Sequence, residues 1–142
     1  MDASHFKELM NLTGPHLADG CLKSGVPMRF APYEVKPLVH TMECRGPARP
    51  VRHVGSIDVF FEAIEHVRPG DVLVIVNVGR LDVACIVDIV LLSLQAAGLA
   101  GHVFWGFHPD GPELRELGLL VFSLASLPPV PQRASSGRGV LF

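Results

Sequence analysis

Two short stretches carry residue types suited to binding a small acid and a metal ion. The first comprises Val87, Asp88, Ile89 and Val90, where a predicted strand passes into a predicted helix. The first turn of a helix has unpaired backbone N–H groups and the positive end of the helix dipole, so this turn is suited to bind a carboxylate or phosphate. Asp88 could equally occupy those donors as the cap of its own helix, and both interpretations stay open.

The second stretch, Gly106-Phe-His-Pro-Asp110, also follows a predicted strand and precedes a predicted helix. The carboxylate of Asp110 offers the oxygen ligands that Mg²⁺ prefers, and Mg²⁺ needs only one or two carboxylates beside water and substrate. The alternative is again a helix cap. Glu113 lies three residues after Asp110, which resembles a capping box with Asp in place of Ser or Thr.

Other kinds of site find little support in the sequence. The histidines show no HxH or HExxH spacing, so a zinc site is not expected, and His102 and His108 are predicted to be ordinary core or rim residues. Trp105 is predicted to lie in the core. No G-x-G-x-x-G follows the predicted strand at 72–76, and no Ser or Cys occupies a nucleophile elbow.

Length, composition and charge indicate one cytoplasmic domain. The chain has 142 residues with 49% apolar content, which is enough for one hydrophobic core, and a net charge of −2. Because no block of like charges appears, nucleic acid is not an expected partner. Cys21, Cys44 and Cys85 are too widely spaced for a metal knuckle and odd in number for a disulfide framework. The N-terminus lacks the basic and apolar regions of a signal peptide.

One apolar stretch is long enough to raise the question of a membrane-spanning segment, although we expect none. Residues 89–109 contain no Asp, Glu, Lys or Arg, and about 20 such residues can span a bilayer. Gln95, two glycines and two histidines interrupt the stretch, however, and Gly98-Leu-Ala-Gly101 is typical of a helix end followed by a new strand. We therefore expect a helix and a strand here.

The hydrophobic pattern predicts an α/β fold with a mostly parallel central sheet. Residues 72–76 form a continuous β-branched run, typical of a strand covered on both faces. Pro47 and Pro50 place the strand at 44–54 at an edge of the sheet or make it irregular. The βαβαβ order that follows favours right-handed crossovers. The predicted helices are 14–24, 57–67 (with Ser56 as cap), 89–97 and 112–117, and the other strands are 82–86, 102–106 and 119–123.

The composition changes after residue 125. Residues 126–142 are rich in Pro, Ser and Gly, so we expect a domain over 1–125 and a tail over 126–142. The tail ends on apolar residues, which predicts a remnant strand at 139–142.

A set of short motifs resembles the RraA-like family, which includes 4-hydroxy-4-methyl-2-oxoglutarate aldolases and the regulator of ribonuclease activity A. The resemblance covers about residues 14–125, and it depends on the order and spacing of the motifs. It implies a three-layer β/β/α swivelling-type domain that forms a homotrimer with active sites between subunits. The motifs are Pro15-His-Leu-Ala-Asp19, Gly55-Ser-Ile-Asp-Val59, Pro69-Gly-Asp-Val-Leu-Val74, Gly79-Arg-Leu-Asp82, Ala84-Cys-Ile86, Ala97-Gly-Leu-Ala-Gly101 and Glu113-Leu-Arg-Glu-Leu-Gly118.

The resemblance implies an activity and assigns roles to the two stretches. Aldolases of the family cleave 4-hydroxy-4-methyl-2-oxoglutarate to pyruvate and commonly decarboxylate oxaloacetate, with Mg²⁺ or Mn²⁺ as cofactor. The backbone donors of residues 87–90 match those that hold the pyruvyl carboxylate, and Asp110 matches the residue that anchors the metal. Pro109 occupies the position of the family's catalytic Arg. Proline brings neither a guanidinium nor a backbone N–H, and loss of one such donor typically lowers a rate about 10²–10³-fold.

Further departures leave two functions open. Val76 and Val78 replace an Asp and a Gly of the family pattern, and Val87 stands where many relatives have Gly. The first hypothesis is a metal-dependent lyase acting on pyruvyl 2-oxo acids, with activity weakened or lost. The second is a non-catalytic regulator that binds a protein partner, as the family's ribonuclease regulators do. A decayed product with little function is the remaining alternative.

Overall fold

The computed structural model describes residues 7–55, 57–77, 84, 86, 88–108, 111–127 and 140–141. The chain divides into two compact units, Met1–Pro32 and Tyr33–Phe142. The first unit contains helix α1, Gly14–Ser24, which confirms the predicted helix. It ends at Gly25, whose φ of 66° is a left-handed conformation that glycine adopts without strain.

The second unit contains a mixed sheet with parallel strands at its centre. Its elements among the described residues are β1 Lys36–Pro37, β2 Ala48–Arg52, α2 Asp58–His66, β3 Val72–Val76, α3 Asp88–Ala96, β4 Gly101–Trp105, β5 Phe107–His108, α4 Gly111–Glu116, β6 Val121–Ser123, β7 Ala125–Ser126 and β8 Val140–Leu141. The strand order is β1-β6-β4-β3-β2-β8. Strands β2, β3, β4 and β6 run parallel, whereas β1 is antiparallel to β6 and β8 is antiparallel to β2. Strands β5 and β7 form a separate parallel pair. The predicted α/β class with a mostly parallel sheet is therefore confirmed.

The hydrophobic core lies on one face of this sheet. Alternate residues of a strand point to opposite faces, and Leu73, Ile75 and Phe104 share the buried face because Ile75 and Phe104 are paired across β3 and β4. They form one apolar cluster with side chains of α2 and α3, including Phe60 and Leu91. This cluster fixes the helices against the sheet and so fixes where each helix begins.

Strand β2 tolerates a proline because of its position near the edge of the sheet. The Val72 N–H donates to the Pro47 carbonyl, and the His53 N–H donates to the Val76 carbonyl. In parallel pairing, alternate residues bond to the same neighbour, so the odd-numbered residues of β2 face β3. The missing N–H of Pro50 therefore faces outward, where β8 pairs only with the last two residues of β2.

One prediction about the core is wrong. Trp105 is 36% exposed, because it alternates with buried Phe104 and points to the other face of β4. His102 and His108 are buried, at 2% and 4% exposure. The sequence pattern placed Trp105 in a strand correctly, but it could not tell which face of that strand is covered.

The stretch at 89–109 forms separate elements, as predicted. Its first part is helix α3, and Gly98, with φ of 83°, lies in the turn that leads to β4. Within the described ranges, no helix is both long and apolar enough to cross a bilayer.

Two other predictions fall largely on residues outside the description. Of the predicted strand at 82–86, only Ala84 and Ile86 are described, and both are buried. The predicted cap Ser56 is not described, and Ile57 occupies the N-cap position of α2. Near the C-terminus, Val140–Leu141 forms β8 beside β2. The division into 1–125 and 126–142 stays a prediction.

Candidate functional site

One parallel β-bridge joins residues that precede α3 and α4 in the chain. It pairs Ala84 with Phe107, which follows β4 at the carboxyl edge of the sheet. Each helix begins four residues after this bridge, since α3 begins at Asp88 (88 − 84 = 4) and α4 begins at Gly111 (111 − 107 = 4). In open α/β sheets, ligands bind beyond the carboxyl ends of the strands. The bridge therefore pairs a residue three positions before the first predicted stretch with a residue of the second, in parallel orientation.

Several predicted site residues lie outside the described residues. They are Val87, Pro109 and Asp110. Asp88 opens α3, and of the next two residues Ile89 is 70% exposed whereas Val90 is fully buried in the core. The apolar side chains of Ile89 and Val90 have no polar group to offer a ligand, so a binding role for them can only come from their backbone N–H groups.

A buried polar pair, which the sequence reasoning missed, connects the carboxyl ends of neighbouring strands. The Nδ1 of His53, which follows β2, lies 2.9 Å from Oδ1 of Asn77, which follows β3. Because an amide oxygen only accepts, Nδ1 is the donor in this hydrogen bond. The His53 ring stacks on Phe60 at 5.1 Å between centroids, and the Asn77 N–H donates to the Trp105 carbonyl of β4. No local motif could have linked residues 24 positions apart.

Three side chains surround the start of α4. Gly111 is buried, and a Cβ added to it would be in van der Waals contact with Nε2 of His108 at 3.5 Å, Cδ1 of Leu38 at 3.6 Å and Nη2 of Arg115 at 3.7 Å. Arg115 is four residues after Gly111, and helical side chains tilt toward the N-terminus, so its guanidinium extends back over the glycine. Nδ1 of His108 lies 2.6 Å from Oγ of Ser123, which holds the imidazole ring in place.

Three ion pairs join described residues. In the portion of the chain that the structure describes, they join Lys23 to Asp19, Arg45 to Glu43 and Arg49 to Asp71. Arg115, which is exposed, forms no ion pair with a described residue, and the same is true of Arg52 and Arg68.

Burial shifts the pKa of two further titratable groups toward the neutral form, those of the buried His102 and the half-buried Cys44. Burial lowers the pKa of His102 to about 4, although the Leu120 backbone partly opposes the shift. Neither ring nitrogen of His102 has a hydrogen-bond partner among the described residues. Burial also raises the pKa of the Cys44 thiol, which lies against Gly101. A thiol with a raised pKa is a poor nucleophile, so neither group marks a reactive centre.

Comparison with protein families decides the relationship of the chain. The sequence model of the RraA-like family, described as Aldolase/RraA, matches residues 15–140. The chain belongs to the Aldolase/RraA family. The resemblance carried by the short motifs is thereby confirmed.

Solved structures share the Aldolase/RraA fold with this chain. An uncharacterized protein from Pseudomonas syringae pv. tomato aligns with all of the chain at 22% identity and a TM-score of 0.76. Streptomyces coelicolor RraAS2, an unusual member of the RNase ES inhibitor RraA family, aligns with all of it at 23% identity, a TM-score of 0.77 and 71% coverage of its own length. The RNA-processing inhibitor RraA from Thermus thermophilis aligns with 92% of the chain at 23% identity, a TM-score of 0.75 and 76% coverage. At these identities the likeness shows the fold alone.

This Aldolase/RraA chain is shorter than the structures it matches. It spans 63% of the Pseudomonas syringae protein. The comparison with curated proteins finds no match. Among the described residues no group of His, Cys, Asp and Glu is arranged to hold a metal ion, and Asp110 is not among those residues.

Proposed function

We propose that this Aldolase/RraA chain binds pyruvyl 2-oxo acids at the carboxyl edge of its sheet, as a metal-dependent lyase whose activity is weakened or lost. The reaction would be cleavage of 4-hydroxy-4-methyl-2-oxoglutarate or decarboxylation of oxaloacetate, each giving pyruvate. The observation that supports this proposal is the parallel bridge between Ala84 and Phe107. It pairs Ala84, four residues before Asp88, with Phe107, three residues before Asp110, and a shared pocket would require such neighbouring segments.

Each residue in the proposal has a separate task. The backbone N–H groups of Asp88, Ile89 and Val90 at the start of α3 bind the pyruvyl carboxylate. Asp110 anchors Mg²⁺ or Mn²⁺, and a lone carboxylate suits this chemistry because Mg²⁺ keeps several waters and takes substrate oxygens as further ligands. When bound, a divalent cation supplies charge neutralisation for the developing enolate. Pro109 provides no donor, and so the expected rate is about 10²–10³ lower than with an Arg there.

Pyruvate release from oxaloacetate tests the proposal. We expect slow release that requires added Mg²⁺ or Mn²⁺, no release by Asp110→Ala, and faster release by Pro109→Arg. Asp19→Ala, in the exposed pair with Lys23 of α1, removes one carboxylate elsewhere and should not change the rate. Rapid turnover that persists in the presence of a chelator would contradict the proposed roles.

The second candidate function is that of a non-catalytic regulator that binds a protein partner in the cytoplasm. The proline at the catalytic Arg position favours it, as do solved structures of similar fold described as RraA inhibitors of RNA processing or of RNase ES. Both candidate functions include a homotrimer. Light scattering would measure the subunit number, and titration with a purified ribonuclease of the RNase E type would detect the partner. Absence of a complex at micromolar concentrations would remove this candidate.

A further inference from the structure

A cavity lies between β2 and the C-terminal end of α2, away from the site of the proposed function. Its volume is about 370 Å³, which is within the range of cavities that bind small molecules. Arg49, which lines it, is paired with Leu73 near the start of β3. The cavity therefore lies toward the amino ends of the strands, whereas the bridge between Ala84 and Phe107 lies at the carboxyl ends.

Most of the lining of this cavity is apolar. It includes two residues of β2, one residue of α2, the residue that follows α2 and one residue of β3, namely Pro50, Val51, Ala63, Val67 and Leu73. Apolar surface that a ligand buries against such side chains is removed from water, at a gain of about 25 cal/mol per Å². The cavity therefore favours a ligand with an apolar group.

Arg49 brings a positive charge to the lining of the cavity. Its Nε donates to Oδ2 of Asp71 at 2.6 Å, and this bond holds the guanidinium in place. The side chain is nevertheless 42% exposed, and its two terminal amino groups form no hydrogen bond with a described residue. A guanidinium donates charge-assisted hydrogen bonds to carboxylates. The terminal amino groups are therefore available to an anion that enters the cavity.

The other polar side chain of the lining is that of His66, which is exposed. Its Nδ1 lies 2.8 Å from the Glu62 carbonyl oxygen, which only accepts, so Nδ1 is the donor. Among the described residues that line the cavity none is acidic, and the Asp71 carboxylate is 3% exposed. The electrostatic character of the lining therefore favours an anion over a cation.

We propose that this cavity binds a small monocarboxylate that carries a compact apolar group. The carboxylate accepts hydrogen bonds from the terminal amino groups of Arg49, and the apolar group packs against Val51, Ala63 and Val67. Because Asp71 already orders the guanidinium, less side-chain entropy is lost when the ligand binds. The site is separate from the one proposed for pyruvyl acids and does not depend on it.

Three matched probes test this assignment. Phenylacetate has both groups, acetate lacks the ring, and phenylacetamide lacks the charge. Titration calorimetry of the wild-type protein should show phenylacetate binding about 10- to 100-fold more tightly than either of the other two, because the charge-assisted hydrogen bonds and the burial of the ring each contribute. Equal affinities for phenylacetate and phenylacetamide, or no binding of phenylacetate, would overturn the proposal.

Two variants assign the two parts of the site. Arg49→Gln, combined with Asp71→Asn so that no buried carboxylate loses its counterion, should remove the preference for phenylacetate over phenylacetamide. Val67→Phe should weaken the binding of both by partly filling the cavity. Val67 is half-buried with φ −77° and ψ 156°, an extended conformation that phenylalanine also adopts, so this variant is expected to fold.

Arg52→Gln is the matched control for the charge. Arg52 is an exposed cation of the same strand, and it follows Val51, so its side chain points to the other face of the sheet. This variant should keep the full preference for phenylacetate. A preference that survives in the Arg49 variant, or that is lost equally in Arg52→Gln, would overturn the role of Arg49.

Deletion of Phe142, the residue after β8 in the sequence, tests whether the chain itself supplies the occupant. The affinity for phenylacetate should stay the same. A gain of more than about tenfold would mean that the C-terminus competes for the cavity, and this result would overturn the proposal of a free monocarboxylate as its ligand.

Discussion

Polar contacts join β2, β3 and β4 both at the amino ends of these strands (the amino edge) and at their carboxyl ends (the carboxyl edge), but the groups that make the contacts differ. At the amino edge, Asp71 precedes β3; its carboxylate binds Nε of Arg49 in β2 at 2.6 Å, and its carbonyl accepts the Ala100 N–H just before β4. At the carboxyl edge, Asn77 follows β3; its side chain binds His53 beyond β2, and its N–H donates to the Trp105 carbonyl. The side-chain contact at the amino edge is an ion pair, whereas the one at the carboxyl edge is a hydrogen bond between an imidazole and an amide.

The two sets of contacts differ in buried charge. The Asp71 carboxylate is 3% exposed and also accepts the Arg68 N–H, so its charge is compensated within the protein. The buried pair of His53 and Asn77 contains no carboxylate that needs a counterion.

The largest expected effect comes from breaking the ion pair between Asp71 and Arg49. Asp71→Ala should lower the free energy of unfolding by roughly 3–4 kcal/mol, because it removes a buried acceptor and leaves Arg49 and the Arg68 N–H without their partner. Urea denaturation followed by circular dichroism measures the change. Asp19→Ala, which breaks an exposed pair on α1, should cost less than about 0.5 kcal/mol. Equal costs would show that the amino edge has no special role.

Acid should destabilise the core near the amino edge through His102. Its folded pKa is about 4, so between pH 6.5 and 4 the unfolded chain binds a proton that the folded chain excludes. The free energy of unfolding should therefore decrease as the pH falls through that window, by up to roughly 3 kcal/mol from this residue. His102→Leu should flatten this part of the stability profile. His40→Gln, an exposed control, should leave it unchanged.

Breaking the hydrogen bond between His53 and Asn77 should have a smaller effect. His53→Leu should lower the free energy of unfolding by about 2 kcal/mol, because it removes the buried hydrogen bond between the His53 ring and the Asn77 side chain. Adding Asn77→Leu to this variant should cost less than the two single changes summed, as a double-mutant cycle measures. Strictly additive costs would mean that the two side chains are not coupled.

The smallest effect is expected for a residue at the carboxyl edge that takes no part in this hydrogen bond. Ile89→Gln should change the free energy of unfolding by less than about 0.5 kcal/mol, because the side chain is 70% exposed. Thermal denaturation would show the change. A loss comparable with that of His53→Leu would indicate that position at this edge matters more than the hydrogen-bonded pair.

Local sequence patterns predicted the secondary elements and missed the contacts between them. The apolar run at 72–76 predicted β3, and Gly25 marked the end of α1. Each of these signals is contained within a few neighbouring residues. The partners of Asp71 and Asn77 are 22 and 24 residues away in the sequence, so no local pattern could identify them.

The sequence by itself determined the family, the α/β class and the types of residue that could bind a pyruvyl acid and a metal. Motif order and hydrophobic periodicity are properties of the sequence alone, so they can be recognised without a structure. Only the tertiary structure decided which face of β4 exposes Trp105, which polar groups join the strand ends, and that Arg49 lines a cavity beside α2. These features depend on which segments become neighbours in space, and strand pairing and helix packing set that arrangement.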